Sequence, residues 1–400
     1  MAKRKLRIGV IFGGKSGEHE VSVSSAQSVM RAIDPARYEV VPIGITKEGR
    51  WLTHGDPLAA LTSRQVTMAS LLSGATIIDA AGGSDLKGEQ LSLDLEITDA
   101  EMGNQSLISR TRDLIPGTRE AGIPNVDVIF PVLHGPYGED GTLQGLLELA
   151  DIPYVGAGVM ASAVGMDKAV MKDVFVAHGL PVAPYLTITR QSWERDPVTA
   201  MEAIEQKIGW PCFVKPANLG SSVGISKAHN IPELDEALAE AAQYDRKLLV
   251  EMAVPQAREI ECSVLGNDDP IASLPGEIVP SREFYDYAAK YLDSGENASQ
   301  LLIPAPIADE LAAQVRGLSI KAYTAIDCAG MARADFLLDG QAGTLYINEL
   351  NTIPGFTQIS MYTKLWEASG IPYAELIDRL VELALERYTD KRRSRTTYVV

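Results

Sequence analysis

The acids, one arginine and the lysines of this sequence fall in a pattern suited to phosphoryl chemistry. Between Ala332 and Gly355 the chain reads ARADFLLDGQAGTLYINELNTIPG. Two alternating arms separated by Asp339, Gly340 and Gly343 predict a β-hairpin. Side chains two apart on a strand share a face, so Arg333 goes with Asp335 on one arm and Glu349 with Asn351 on the other. Pairing the arms would gather an arginine, two carboxylates and an amide oxygen at one end of a sheet. Hard oxygen donors without histidine or thiolate suit magnesium or manganese rather than zinc. The simpler reading is an amphipathic surface hairpin with solvated charges. The NTIPG that follows and the lysines upstream argue against it.

Lys215 ends the apolar run WPCFVKP, just before the loop ANLGSSVG. An ammonium placed over free backbone N–H groups holds polyphosphate. The loop is not a Walker motif, because GxxxxGK[ST] is absent. Lys168 is a second phosphate candidate. Taken singly, each lysine is an exposed charge; beside an acid cluster and a lid they read as phosphate ligands. VEMAV, ending at Val254, reads as a strand whose backbone edge could meet adenine, and Glu259 could bind ribose hydroxyls; an ordinary sheet edge accounts for both equally well. His134, in HGPYGEDG after a strand end, could face the crevice where open α/β sheets bind ligands, or could be a satisfied turn histidine. Glu20, in a glycine turn before a helix, could meet a substrate ammonium or serve only as a charge favoured by the helix dipole. The remaining histidines, His19, His54, His178 and His229, have no ligand spacing.

The elements that must position these groups fill 400 residues, enough for two or three domains. Hydrophobic residues are 46% and charged residues 22%, ordinary for an enzyme with a real core. The net charge of −17 excludes general attraction to nucleic acid or anionic lipid, so any polyanion site must be a local basic pocket. Three widely spaced cysteines give no disulfide framework and point to a reducing, cytoplasmic setting. No apolar run is long enough to span a bilayer, and the short run after the basic N-terminus reads as a first strand, not a signal peptide. Strand Leu6–Phe12, a glycine turn and a helix from about Ser22 to Ile33 open a doubly wound unit. Asn125–Leu133 and Ile152–Val155 predict further strands, and GAGVMASAVGMDKAVMKDVFVAHG one long helix with a glycine stop. After Gly179 the pattern changes to antiparallel-type strands, with a helix over Ile231–Tyr244 and a strand from Lys247 to Val254. SREFYDYAAKYLDSGENASQ has no hydrophobic period but several aromatics, which predicts a lid. A helix over Pro306–Tyr323 precedes the acid hairpin, two helices close the chain, and TDKRRSRTTYVV reads as a solvated basic tail. Residues 50–120 suggest no function.

Seven stretches carry a resemblance: FGGKSGEHEVS, VLHGPYGEDGTLQGLLELADIPYVGAG, ASAVGMDK, FVKPANLGSSVGISK, EFYDYAAKY, ARADF and NELNTIPGFTQISMYTKLW. In this order the chain resembles the ATP-grasp ligases, and within them the D-alanine–D-alanine ligase family. The resemblance implies an N-terminal α/β domain over residues 1–160 with a doubly wound parallel sheet. A two-part ATP-grasp fold follows, with a central part over 161–254 and a C-terminal part over 255–400 carrying a lid over 280–302. By the same resemblance Lys168 and Lys215 hold phosphates, Glu251 meets the adenine amine, Val254 or Ala253 its backbone contact, and Glu259 the ribose. Asp335, Glu349 and Asn351 hold two magnesium or manganese ions. Glu20 pairs with the first substrate's ammonium, His134 joins the substrate site, and Ser360, Met361 and Lys290 meet the second substrate. Glu20, Ser221 and Tyr291 latch the lid by hydrogen bonds, and Arg333 with the N–H of Gly355 stabilises a tetrahedral oxyanion.

The resulting expectation is a cytoplasmic homodimeric enzyme that uses ATP to join two D-alanines through an acyl phosphate for peptidoglycan synthesis, with no nucleic-acid or membrane partner. Two rivals stand beside it. One is a ligase forming the D-alanyl-D-lactate ester. The other is a nucleotide-binding regulator without turnover, against which the full acid set and Arg333 speak.

Overall fold

The computed structural model describes residues 4–62, 77–78, 125–221, 223–280 and 299–395. Among the described residues three sheets make up the α/β architecture. The first runs β4-β3-β2-β1-β5, from β1 (Leu6–Gly13), β2 (Tyr38–Ile45), β3 (Trp51–Leu52), β4 (Ile77–Ile78) and β5 (Val128–Pro131). Its centre is parallel, β1 pairing with β2 and β5, as the continuous apolar runs of those strands require of a sheet covered on both faces. Its β3–β4 edge is antiparallel. The second sheet, β6-β9-β7-β8, is antiparallel and consists of β6 (Tyr185–Thr189), β7 (Cys212–Pro216), β8 (Ser226–Ala228) and β9 (Lys247–Met252). The third is antiparallel with order β13-β12-β10-β14-β15. It holds β10 (Arg258–Gly266), β12 (Gly276–Val279), β13 (Gln300–Leu302), β14 (Gly330–Leu338) and β15 (Leu345–Asn351), with β11 (Ile271–Ala272) paired to β10.

Several sequence expectations shift. The expected single helix after Gly156 is two, Val159–Met166 and Lys168–Ala177. Asp167 breaks it: its backbone is extended at φ −84, ψ 96, and its carboxylate caps the second helix by accepting the Val170 N–H. The same carboxylate takes the Lys247 ammonium at 2.5 Å, so the break is held from the second sheet. Ile152–Val155 is no strand; only Tyr154 bridges Ile129. The first helix starts at His19, which puts Glu20 inside its first turn and not in the preceding loop. The helix before the hairpin spans Asp309–Ala325, and the strand expected to reach Val254 stops at Met252. The basic tail is partly docked: Lys391 ends the helix Tyr373–Lys391 and pairs with Glu148. The central residues of the region from 50 to 120, and most of the expected lid, lie outside the described residues.

Packing ties the parts together unequally. β1, β5 and the helix His19–Ala32 share one core with the helices Met361–Ala368 and Tyr373–Lys391, the Phe130 and Phe356 rings meeting edge to face at 5.5 Å. The helices Val159–Met166 and Lys168–Ala177 share theirs with the third sheet, through Ala161, Met171 and Phe175 against Ile260, Ala334 and Ile347. The second sheet has a separate core with the helices Pro197–Lys207 and Ile231–Tyr244 around Val214, Leu238 and Val250. The segments that follow β1 and β5, the ends of β7 and β9 and one face of the third sheet line one cleft of about 1400 Å³.

Candidate active site

The acid hairpin forms from β14 and β15. Arg333 lies opposite Asn351, and Asp335 opposite Glu349. A bulge between Asp335 and Phe336 places Phe336 against Ile347 and leaves Asn348 as the extra residue. The bulge decides the chemistry. Before it Leu345 and Ile347 face the core; after it Leu350 does. One extra residue flips the alternation, so that Glu349 and Asn351 face the cleft. Arg333 grips Asp335 with two hydrogen bonds, Nε to Oδ1 and Nη2 to Oδ2, both 2.7 Å. Asn351 Nδ2 also donates to Asp335 Oδ2 at 2.7 Å. Glu261, on the neighbouring strand β10 directly across from Asp335, comes within 2.9 Å of Arg333 Nε. Glu261, Asp335 and Glu349 therefore form a row of acids across three adjacent strands. The repeated spacing of Glu259 and Glu261 in the sequence was the signal for Glu261, to which no role was assigned.

Lysines line the opposite wall. Lys215 lies near the end of β7 and is ion-paired with Glu251 of β9. Glu251 is 2% exposed and is shared with a second lysine, Lys172, at 3.1 Å. Burial alone would raise the Glu251 pKa, but Lys172 and Lys215 reverse that and hold it down at about 2. The carboxylate expected to meet an adenine amine is thus engaged by two ammoniums. Lys168, first residue of its helix because of the Asp167 break, donates to the Leu219 carbonyl at 2.8 Å and lies 3.4 Å from Glu349. It bridges the glycine-serine loop and the hairpin. Lys172 was missed, although it stands four residues after Lys168 on one helix face. Val254 and Glu259 also line the cleft. The Ala253 N–H is taken by the Pro211 carbonyl at 3.1 Å.

The first sheet contributes the third wall. His134 is buried, and its Nδ1 lies 3.1 Å from the Ile353 carbonyl. A carbonyl only accepts, so Nδ1 carries the proton and Nε2 faces the Ser25 hydroxyl at 3.4 Å. Burial lowers the His134 pKa and keeps the ring neutral. Ser221 sits in the left-handed region at φ +51 and donates its hydroxyl to Glu18. This departs from the expectation. Glu20 lines the cleft, but its carboxylate pairs with Lys47 at 2.5 Å and is 66% exposed; starting the helix at His19 turns it toward the β2–β3 turn. Glu18, two residues earlier, takes the place expected of Glu20 beside Ser221. Tyr291 and Lys290, expected in the latch and at the second substrate, lie outside the described residues.

Glu139 accepts the Gly135 N–H at 2.7 Å, and burial, with the neighbouring Glu18 charge, raises its pKa to about 8. The native state thus retains a proton that the unfolded chain has lost above its ordinary value of 4.5. That contribution to stability is full below the ordinary value and lost as pH rises through about 8. Glu139→Gln, which cannot ionise, should therefore gain in Tm relative to the parent between about pH 5 and about pH 9. Parallel Tm profiles of the two proteins would remove Glu139 from this role.

Gly355, Ser360 and Met361 close the cleft at the C-terminal side. Ser360 Oγ accepts the Thr357 N–H at 3.0 Å and precedes the helix Met361–Ala368. A side chain on Gly355 would come within 3.2 Å of that hydroxyl. Among the described residues no group of three or more His, Cys, Asp or Glu side chains is disposed to hold a metal ion. The hairpin offers two carboxylates, Asp335 and Glu349, and the amide of Asn351. That donor set fits magnesium, which takes few protein carboxylates and completes its shell with phosphate and water.

Residues 7–157 match the family model described as D-ala D-ala ligase N-terminus, and residues 174–382 match D-ala D-ala ligase C-terminus. The D-alanine–D-alanine ligase of Heliobacterium modesticaldum is 50% identical over 98% of this chain and 98% of its own. That of Streptomyces griseus is 48% identical over 98% of this chain and 95% of its own. Among solved structures, the D-alanine-D-alanine ligase of Coxiella burnetii superposes with a TM-score of 0.76 at 35% identity, covering 98% of this chain and 97% of that one. VanG D-Ala:D-Ser ligase of Enterococcus faecalis gives a TM-score of 0.76 at 32% identity, covering 95% and 100%. With both family models matched in order and relatives aligned end to end, the chain belongs to the D-alanine–D-alanine ligase family.

Proposed function

We propose that the protein is an ATP-dependent, ADP-forming ligase that joins two D-alanines into D-alanyl-D-alanine for peptidoglycan synthesis. The observation that carries this reading is the convergence on one cleft of every described residue assigned a role from the sequence. Lys168 and Lys215 bind the phosphates, Glu259 the ribose, and the strand end Glu251–Val254 the adenine. With the Ala253 N–H engaged by Pro211, the backbone contact falls to Val254. Ser360, at the N-terminus of its helix, and Met361 and Lys290 receive the second substrate, its carboxylate favoured there by the helix dipole. His134 and Glu20 border the first substrate, with Ser221 and Tyr291 in the latch.

In the first step a carboxylate oxygen of one D-alanine attacks the γ-phosphorus. The bond to the β–γ bridging oxygen breaks, giving an acyl phosphate and ADP. In the second step the neutral amine of the other D-alanine attacks the acyl carbon, loses a proton, and expels inorganic phosphate. Arg333 and the Gly355 N–H stabilise the oxyanion between addition and expulsion. Asp335, Glu349 and Asn351 would hold two magnesium or manganese ions, which neutralise charge on the phosphoryl groups. A closed cleft matters because water would hydrolyse the acyl phosphate. A reducing cytoplasm suits the three buried free cysteines, Cys212, Cys262 and Cys328, and the working form is a homodimer without nucleic-acid or membrane partners. No described helix is long and apolar enough to cross a membrane.

The test is ADP release with ATP, magnesium and D-alanine, followed by product analysis with equal D-alanine and D-lactate. Dipeptide as the main product at neutral pH is expected. Ester as the main product would move the reading to the D-lactate ligase, and nucleotide binding without ADP release would move it to a regulator.

A further inference from the structure

Lys172 lies buried directly behind the cleft wall, and the reaction above gives it no part. It is 1% exposed, an unusual place for an ammonium unless something holds it there. It points from the helix Lys168–Ala177, one turn beyond Lys168, at two acceptors on two different elements. Its Nζ lies 3.1 Å from Glu251 Oε2 on β9 and donates to the Asn348 carbonyl on β15 at 3.1 Å. Asn348 is the extra residue of the bulge that turns Glu349 and Asn351 into the cleft. Lys215 takes the other oxygen, Oε1, of the same Glu251 carboxylate.

The charge count gives this arrangement its meaning. Lys172, Lys215 and Glu251 are all at most 9% exposed. Within the triad alone, one carboxylate between two lysines leaves a net positive charge, offset only at longer range by Glu349, which acts on both ammoniums, and Glu259, which acts on Lys215. An unbalanced charge in low dielectric is costly, and an incoming anion relieves it. Without Lys172, Glu251 would belong to Lys215 alone, and that ammonium would be neutralised where phosphate has to find it. We propose that Lys172 is a positioning residue of the nucleotide site: it occupies half of the Glu251 carboxylate so that Lys215 stays available to phosphate, and it anchors that assembly to the hairpin bulge. This rests on the reading of Lys215 as a phosphate ligand.

Calorimetric binding of ADP in the presence of magnesium tests the proposal, with Lys172→Met, Glu251→Gln and the double variant beside the parent. Lys172→Met should weaken ADP by about tenfold or more, a loss of roughly 1.4 kcal/mol, and raise the KM for ATP more than it lowers kcat. In the Glu251→Gln background the same substitution should change ADP affinity by less than about threefold, because the carboxylate through which Lys172 acts is gone. A merely structural lysine would give the same loss in both backgrounds, and that result would overturn the proposal. So would unchanged ADP affinity in Lys172→Met. If Lys172→Met does not fold, the double variant removes both charges of the Lys172–Glu251 pair and leaves Lys215, at the cleft, as the one ammonium of the triad, and a tenfold difference between it and Glu251→Gln would overturn the proposal equally. A parent that binds no ADP would instead overturn the nucleotide reading itself.

Discussion

Asp335→Asn should reduce turnover by at least about a hundredfold at saturating ATP and D-alanine, the scale at which one oriented charge acts on a transition state. The substitution keeps the volume and the strand and takes away only the negative charge. Asp335 is where that loss concentrates, because its two oxygens are the meeting point of Arg333 and Asn351. The fold should survive. Arg333 would otherwise be a buried cation without a partner, which is strongly destabilising, but Glu261 stands 2.9 Å from its Nε and keeps it paired. Glu349→Gln should behave similarly, since it removes the second carboxylate of the hairpin while the bulge that aims it stays in place. ADP release measured across a magnesium titration, with circular dichroism to check folding, gives the answer. Near-normal turnover at ordinary magnesium in either variant would take these acids out of the site.

The pairing of Arg333 and Asp335 with Glu349 and Asn351 was legible because strand alternation is strict: residues two apart share a face, and turn residues between two such arms leave few ways to join them. The bulge at Asn348 was not legible. It inserts one residue without any local signature, and it shows only when the apolar set changes parity between Ile347 and Leu350. The break at Asp167 was hidden for a related reason. The apolar period runs on through both helices, and what overrides it is a hydrogen-bonded cap together with a lysine from a strand eighty residues away in the chain. Glu18 and Glu20 could not be told apart from spacing, since which of them faces Ser221 depends on where the helix begins. Lys172 and Glu261 were passed over because each acts through a partner on another element, Glu251 or Arg333, and no window of sequence contains both members.

Lys215→Ala should raise the KM for ATP by at least about tenfold, equivalent to roughly 1.4 kcal/mol, and leave the KM for D-alanine much less affected. Lys215 lies near the end of β7, where the chain leaves the sheet for the loop bearing Gly220 and Ser221, and it lines the same cleft as that loop. Charge-assisted contacts to phosphate are about twice as strong as neutral ones, and Lys215 is itself only 9% exposed. The ion pair with Glu251 complicates the expectation in a definite way. Removing Lys215 returns the whole Glu251 carboxylate to Lys172, so the buried acid keeps a partner and the second sheet should remain folded. What is lost is the positive charge facing the nucleotide. Lys215→Arg keeps that charge on a larger, forked group and should recover part of the affinity. The measurement is steady-state ADP release with ATP and D-alanine varied in turn, for both variants and the parent. A solvated or purely structural lysine would leave the KM for ATP unchanged, and that outcome would return Lys215 to being the partner of Glu251 and nothing more.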